Sequence, residues 1–370
     1  MRLPINPPKT LSTSEPWSWW DDFRNNANTE KRLNLALVLD KEMPDEFRLK
    51  RWLREPVKCL VLATSLFLVN KKGYPVLPRS IQNLVRAFYP QRVQFLIEGR
   101  NLGHDVRFYQ QYLDHLFHQE EEMVNNDPLR KYATGYEDFL QNPLQPLMDN
   151  LESGTYEVFE KDPVKYTQYQ NAIHLALVDR DPKIEVITVM VLGAGRGPLV
   201  RAALKASLSS KRNIKVIAVE KNVNAIVTLL TQKDEQWGDQ VDVVSGDMRQ
   251  WKSNDSRKAD IVVSELLGSF GDNELSPECL YDAQHLFKED AVSIPCSYTS
   301  FIGPLQSAKL FQEVRASVDP EKNPHSHFET PYVVHLQNRT ELAKPQPLFT
   351  FEHPLAGKID NNRYASLYLL

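Results

Sequence analysis

The sequence predicts an α/β protein, with a doubly wound, Rossmann-like parallel sheet at its centre, βα units before it and an antiparallel β region after it. Three observations carry this expectation. Short apolar runs of strand length alternate with amphipathic helical segments in two separate stretches. A glycine run, Gly193-Ala-Gly195-Arg-Gly197, falls between a buried apolar run and Pro198, at the position where proline opens helices. After Pro295 the helical pattern fades into strand-like runs spaced by Pro, Asn and Gly.

Taken in order, Met1 to Pro16 is rich in Pro, Ser and Thr and has no apolar core of signal-peptide type. A first domain is expected over residues 17–130. Its strands are Leu33–Asp40, Val57–Thr64 and Val93–Glu98, and its helices lie over Pro44–Arg54, Ser80–Tyr89 and His104–Gln119. Three βα units fall short of the roughly 200 residues of a closed (β/α)₈ barrel, so this block reads as part of a barrel or a small open sheet, with further units expected upstream. Glu120–Pro128 (EEEMVNNDP) reads as an exposed polar linker.

A second domain is expected over 131–295. Tyr132 to Asp179 is helical in pattern, interrupted by Pro143, Pro146 and Pro163, and dense in Tyr, Phe and Lys. Strands follow at Ile187–Leu192, Ile214–Val219, Val241–Val244 and Ile261–Ser264, and the βαβαβαβ order argues a doubly wound sheet. Residues 296–370 form the third region. Ser297–Ile302, Tyr332–Leu336, Leu348–Glu352 and Tyr364–Leu369 are strand-like there, with no convincing helix after about Val314.

Composition narrows the function classes. The 370 residues allow two or three domains, and 42% hydrophobic with 25% charged residues excludes wholesale disorder. A net charge of −4 supplies no overall basic field, so direct nucleic-acid binding is not expected. Cys59, Cys279 and Cys296 are odd in number and scattered, matching neither a disulfide framework nor a zinc spacing, which points to a reduced cytosolic or nuclear compartment. The longest apolar stretch, Cys59–Val69, is far below the ~18 residues of a membrane span, and a soluble intracellular protein is expected. His115, His118 and Glu122 share a helix face without an HExxH motif, so no metal is expected. No GxSxG elbow is present, and Cys279 has no evident His partner.

The chemistry-bearing residues cluster at strand ends. Gly193, Gly195 and Gly197 let a ligand approach the backbone, but Pro198 takes the slot of the last glycine in the dinucleotide fingerprint, which argues against NAD or FAD. Glu220 ends the second strand, where an acid can accept both hydroxyls of a ribose. Asp247 and Met248 follow the third strand and offer a carboxylate for an exocyclic amine and an apolar cover for a base. These features together fit S-adenosyl-L-methionine, and without a GxxxxGK[ST] loop a nucleoside triphosphate is disfavoured. Glu265 and Glu274 lie in one loop after the fourth strand and suggest a double clamp on a cation. Arginine fits best, because its planar guanidinium offers five donors in a fork and two anions can localise its charge on one nitrogen.

The runs Val191–Val200 (VLGAGRGPLV), Ala218–Asn222 (AVEKN), Gly246–Trp251 (GDMRQW) and Val263–Leu280 (VSELLGSFGDNELSPECL) strongly resemble the protein arginine methyltransferases, specifically the type II branch that makes symmetric dimethylarginine. The resemblance reaches back through Tyr136–Pro163 and covers nearly the whole chain. It implies that Glu265 and Glu274 are the catalytic pair, that Tyr156, Lys165, Tyr166, Gly193, Gly195, Arg196, Glu220, Asp247 and Met248 contact the cofactor, and that Phe159 favours symmetric product. It implies a partial TIM barrel at the N-terminus, which in animal complexes docks a WD-repeat methylosome subunit, and at the C-terminus the start of an antiparallel β-barrel for peptide binding and dimerisation. Expected substrates are Arg/Gly-rich proteins, including histones and spliceosomal Sm-type proteins, in cytoplasm and nucleus, with a homo-oligomer for the full-length form. The early half of the TIM barrel and most of the C-terminal barrel lie outside this chain, so the expectation is a poor enzyme on its own despite intact cofactor and acid residues. Two rivals are a catalytically silent interaction subunit and a small-molecule methyltransferase, the latter having no need of paired acids.

Overall fold

The computed structural model describes residues 1–8, 15–100, 103–252, 258–357 and 363. The chain divides into two compact units, one of residues 1–142 with 303–344, the other of residues 143–302 with 345–370.

In the first unit β1 (Arg2–Pro4), β2 (Leu35–Val38), β3 (Val57–Ala63) and β4 (Gln94–Glu98) form one parallel sheet in chain order. The helices α1 (Pro16–Asn26), α2 (Glu46–Leu53), α3 (Arg79–Ala87) and α4 (Val106–Asn126) alternate with these strands. Strand residues Leu37, Leu60 and Leu62 are fully buried in one cluster with Trp20, Trp52 and Phe88. The buried Glu55 carboxylate accepts hydrogen bonds from Trp17 Nε1 (3.1 Å), Trp20 Nε1 (2.8 Å) and Arg24 Nη1 (2.9 Å), which offsets the cost of an interior charge.

This unit departs from expectation in three places. The sheet begins at Arg2, ahead of the expected boundary at residue 17, because a three-residue strand is too short to show an alternating pattern. Glu120–Pro128 is no linker: α4 runs on to Asn126, carried by the strong helix formers Glu120–Met123 and gripped by Arg86, which bonds Gln119 at 2.5 Å and pairs with Glu120. Residues 303–344 group with this unit, and Leu305–Gln306 and Thr340–Glu341 pair within them as short antiparallel strands. They contain a helix at Ala308–Ala316 and a turn of helix at Ser326–Glu329. Within the run Tyr332–Leu336 there is no strand; Val333 and His335 only bridge singly to Gln141 and Glu137. The buried Asp138 carboxylate holds this segment by accepting from the Gln337 and Asn338 backbone N–H groups.

In the second unit α6 (Ser153–Glu160) and α7 (Pro163–Asp179) precede the sheet, after a short α5 (Pro128–Ala133) in the first unit. The sheet strands are β5 (Ile187–Leu192), β6 (Ile214–Glu220), β7 (Val241–Ser245), β8 (Ala259–Ser264) and β9 (Phe287–Ile294), all parallel, in spatial order β9-β8-β5-β6-β7. The helices α8 (Pro198–Ser210), α9 (Val223–Gln232) and α10 (Ser276–Ala283) connect them. Alternation along β5 sorts its residues. Ile187, Val189 and Val191 pack under α7 and α8, while Met190 and Leu192 face Leu280 and Ala283 of α10. Both faces are covered, hence the continuous apolar runs.

The fifth strand, β9, was not expected from the sequence. Its Lys288-Glu289-Asp290 suits a sheet edge and hides the strand pattern. After it β10 (Ser297–Ile302) pairs antiparallel with β11 (Gln346–Glu352), as the strand-like runs predict. The run Tyr364–Leu369 lies outside the described residues. Among the described residues no helix is long and apolar enough to cross a membrane.

Candidate active site

Register brings the strand ends level. Ser264 pairs with Leu192, Leu192 with Val219, and Glu220 with Ser245, so the residues that leave β8, β5, β6 and β7 share one edge. The chain reverses its direction across the sheet between β5 and β8, which makes this edge the crevice where such folds bind ligands. A cavity of about 130 Å³ opens there, lined by Gly193, Gly195, Glu220, Asp247, Met248, Glu265 and Glu274, with Tyr156, Phe159 and Tyr166 over it.

The glycine loop is shaped by its neighbours. Gly193 has φ +73°, and a Cβ there would lie 2.6 Å from the Leu266 side chain. Gly197 has φ +89° and would meet Trp237 at 2.6 Å. A larger residue at either position would need both a strained backbone and a displaced neighbour. Pro198 then opens α8 as the first-turn proline.

Glu220 is buried and both its oxygens are engaged. The Gly195 N–H donates to Oε2 (2.7 Å) and the Asn222 N–H to Oε1 (2.7 Å). The carboxylate thereby fixes the glycine loop and the β6–α9 turn, and keeps lone pairs for a ligand. Asp247 is occupied differently, by a fork from Arg249 (Nη2 at 2.6 Å) that holds its carboxyl below the usual range.

The helical segment closes over this loop. Tyr156 takes a hydrogen bond on its hydroxyl from Asn222 Nδ2 (3.0 Å) and stands edge-on to Phe159, with centroids 6.3 Å apart. Asp162 caps α7 by accepting from the Val164 and Lys165 N–H groups (3.0 Å each), which sets Lys165 and Tyr166 on the first turn. Lys165 Nζ lies 3.9 Å from Glu265 Oε1 and 5.0 Å from the Tyr166 ring centroid. The Tyr169 hydroxyl donates to the Ser264 carbonyl (2.8 Å), tying α7 to the strand end just before Glu265.

Two predicted residues stand apart from the cavity lining. Lys165 borders the site through Glu265 and the Phe159 and Tyr166 rings. Arg196 turns to α6, donating to the Ser153 carbonyl (3.0 Å) and pairing with Glu160 (3.4 Å), which Arg201 also grips at 2.9 Å. Glu160 and Asn222 carry no motif signature, and their roles come from tertiary partners.

The two loop acids perturb one another. Burial raises the Glu265 carboxyl and the Lys165 ammonium partly offsets this. Burial and then the Glu265 charge push Glu274 up to about 7. Burial also pushes the Cys279 thiol up to about 11, so it stands protonated at neutral pH. Between pH 4.5 and 7 folded Glu274 keeps a proton that the unfolded chain has released, so its ionisation subtracts stability as pH rises through that window. Glu274→Gln should therefore raise the melting temperature at pH 8, by about 2–4 °C for the order of 1 kcal/mol left after solvent screening, with no gain at pH 4. Scanning calorimetry at both pH values checks this; a gain of equal size at pH 4 would assign the effect to something other than the charge.

Comparison with known proteins adds the lineage. The family models for the PRMT5 TIM barrel domain, the PRMT5 arginine-N-methyltransferase and the PRMT5 oligomerisation domain match residues 1–119, 127–294 and 297–369. The chain is 53% identical to protein arginine N-methyltransferase 5 of Xenopus laevis over 361 residues, 95% of this chain and 56% of that protein. It is 46% identical to the Oryza sativa protein of the same name (96% and 57%), and 40% identical to protein arginine N-methyltransferase skb1 of Schizosaccharomyces pombe (95% and 57%). The chain thus spans just over half the length of these curated relatives. Among solved structures, the Trypanosoma brucei PRMT1 enzyme-prozyme heterotetrameric complex with AdoHcy aligns with 56% of this chain and 64% of its own, at 20% identity and a TM-score of 0.44.

Proposed function

The chain belongs to the protein arginine N-methyltransferase 5 family, and from that premise we propose that it is the cofactor- and arginine-binding part of an S-adenosyl-L-methionine-dependent enzyme that makes mono- and symmetric dimethylarginine. The observation that carries the reading is the convergence of Glu265 and Glu274 on the cavity that also holds the glycine loop and Glu220.

The residues present fit the cofactor. A Cβ at Gly193 would fill the cradle beside Leu266, Glu220 keeps lone pairs for hydroxyl groups, and Met248 offers an apolar cover. When bound, the cofactor supplies a methyl group on an electrophilic sulfonium. Glu265 and Glu274 would grip the guanidinium from two directions and concentrate its positive charge away from the nitrogen to be methylated. Glu274, pushed up to about 7, is suited to take the proton that this nitrogen sheds. Tyr156 and Phe159 line the same cavity and offer aromatic walls against solvent.

The substrates proposed are Arg/Gly-rich proteins, including histones and spliceosomal Sm-type proteins, in cytoplasm and nucleus. Homo-oligomerisation and docking of a WD-repeat subunit are proposed with them; the match of residues 297–369 to an oligomerisation domain supports the former. Methyl transfer to an Arg/Gly-rich peptide, beside the same peptide with Lys for Arg, tests the reading. Label on the Lys peptide, or on a small amine alone, would overturn it. The same assay reads product choice. Phe159→Met replaces a flat wall by a thinner, flexible side chain and should yield a measurable share of asymmetric dimethylarginine by mass spectrometry; purely symmetric product would assign selectivity to another residue.

A further inference from the structure

Glu265 and Glu274 are held by different means. Glu265 directly follows β8 and inherits the strand's rigidity. Glu274 comes nine residues later, at the end of a single 3₁₀ turn, Asp272–Glu274. Directly after it Leu275 sits in the left-handed region (φ +63°, ψ 35°), a conformation that costs a leucine of the order of 1–2 kcal/mol and persists only where surrounding contacts impose it. Something must hold this corner.

The contacts that impose it are on either side. The Asp272 side chain is buried (4% exposed), and its Oδ2 lies 2.5 Å from Arg363 Nε. Its Oδ1 lies 3.0 Å from the Ser300 hydroxyl on β10, which also lies 2.6 Å from the Phe270 carbonyl and shares its one proton between the two acceptors. Arg363 Nη2 reaches Glu278 Oε1 on the first turn of α10 at 2.8 Å, and the guanidinium lies over Phe351. One arginine therefore joins the turn before Glu274 to the helix after Leu275. Within the loop the Leu275 N–H donates to the Asp272 carbonyl (2.9 Å), and Gly268 and Gly271 exchange backbone hydrogen bonds.

We infer that Asp272 is a positioning residue: through Arg363 and Ser300 it forces the strained corner at Leu275 that aims Glu274 at the substrate nitrogen opposite Glu265. Asp272 does not line the cavity. The inference rests on the proposed role of Glu274, and its test separates the two.

Asp272→Asn keeps the shape and removes the charge, and Arg363→Ala removes the bracket from the other side. Each should lower kcat on an arginine peptide at least tenfold, leave S-adenosylmethionine affinity within twofold, and move the acid limb of the pH–rate profile to lower pH. That limb moves because Glu274, whose charged neighbours are Glu265 and Lys165, leaves the burial that chiefly raises it and then the nearby Glu265 charge. Arg363→Lys should recover part of the loss, and the double variant should be no worse than either single one. Normal kcat with an unmoved limb would overturn the inference, as would cofactor affinity falling in step with kcat. Amide exchange gives a readout independent of catalysis. The Leu275 and Gly271 N–H groups should exchange at least tenfold faster in Asp272→Asn, with Val263 in the sheet unchanged. If the chain extended to the length of its relatives transfers no methyl group but this acceleration is seen, the bracket stands and the proposed function fails. If exchange is not accelerated, the bracket itself is refuted.

Discussion

Gln at Glu265 or at Glu274 should reduce methyl transfer to an arginine peptide by about a thousandfold, while cofactor affinity stays within twofold. A carboxylate about 4 Å from a guanidinium is worth roughly 4 kcal/mol at an effective dielectric of 20, and that amount corresponds to about three decades in rate. Gln keeps the shape and one acceptor, so the loss reports charge and not packing. Both acids line the same cavity as the glycine loop, and so the affinity measurement is the part that discriminates. Isothermal titration of S-adenosylmethionine into each variant, with rates measured in the chain extended to the length of its relatives, decides the matter. A tenfold weaker affinity, about 1.4 kcal/mol, would assign the residue to cofactor binding and sink its role as a guanidinium clamp.

Glu220→Ala should be the most damaging change on the cofactor side. It strips the acceptor from two buried N–H groups, those of Gly195 and Asn222, at about 1–3 kcal/mol each. The expected result is at least a hundredfold loss of cofactor affinity and a melting temperature lower by roughly 5–10 °C. Asp247→Asn is the control: Arg249 already occupies that carboxylate, the loop does not hang on it, and the loss should stay below tenfold. Equal losses in the two variants would show that Glu220 acts as a plain ligand contact and not as the keystone of the loop.

The central sheet was the most legible part of the chain. Strands β5, β6 and β8 are covered on both faces, so their apolar runs stand out without any need for alternation. The edge strand β9 was illegible for the opposite reason, with three consecutive charges in its first half. In the site, residues whose task is fixed by backbone position could be read from order alone. Gly193, Glu220, Asp247 and Glu265 each follow or end a strand, and a parallel sheet brings strand ends together whatever the loops do. Asn222, Glu160 and Asp272 could not be read this way. Each owes its task to a side chain distant in sequence: Tyr156, Arg201 and Arg363 respectively. Arg196 shows the converse. It is in the glycine run, yet its guanidinium serves the overlying helix and not the cavity.

That overlying helix has a bearing on pace. α6 is only eight residues long, and its first residue is preceded by Glu152, whose side chain makes no capping bond. Part of its hold is ionic, through Glu160 to Arg196 in the glycine loop and Arg201 on α8, beside the hydrogen bonds at Ser153 and Tyr156. A short, poorly capped helix has little tendency to stay wound by itself, and partly exposed ion pairs, here with side chains 20–35% accessible, weaken to a degree as salt is added. Under the proposed function each methyl group leaves a spent nucleoside that must depart before the next arrives. The helix is then the door, and salt loosens its latch. A dimethylated arginine needs two such exchanges, so the monomethylated intermediate has a waiting period during which its peptide is free to leave. Release rates measured by stopped flow at two salt concentrations would reveal this, with faster release at the higher one; on that account turnover is timed by the unlatching of two turns of helix.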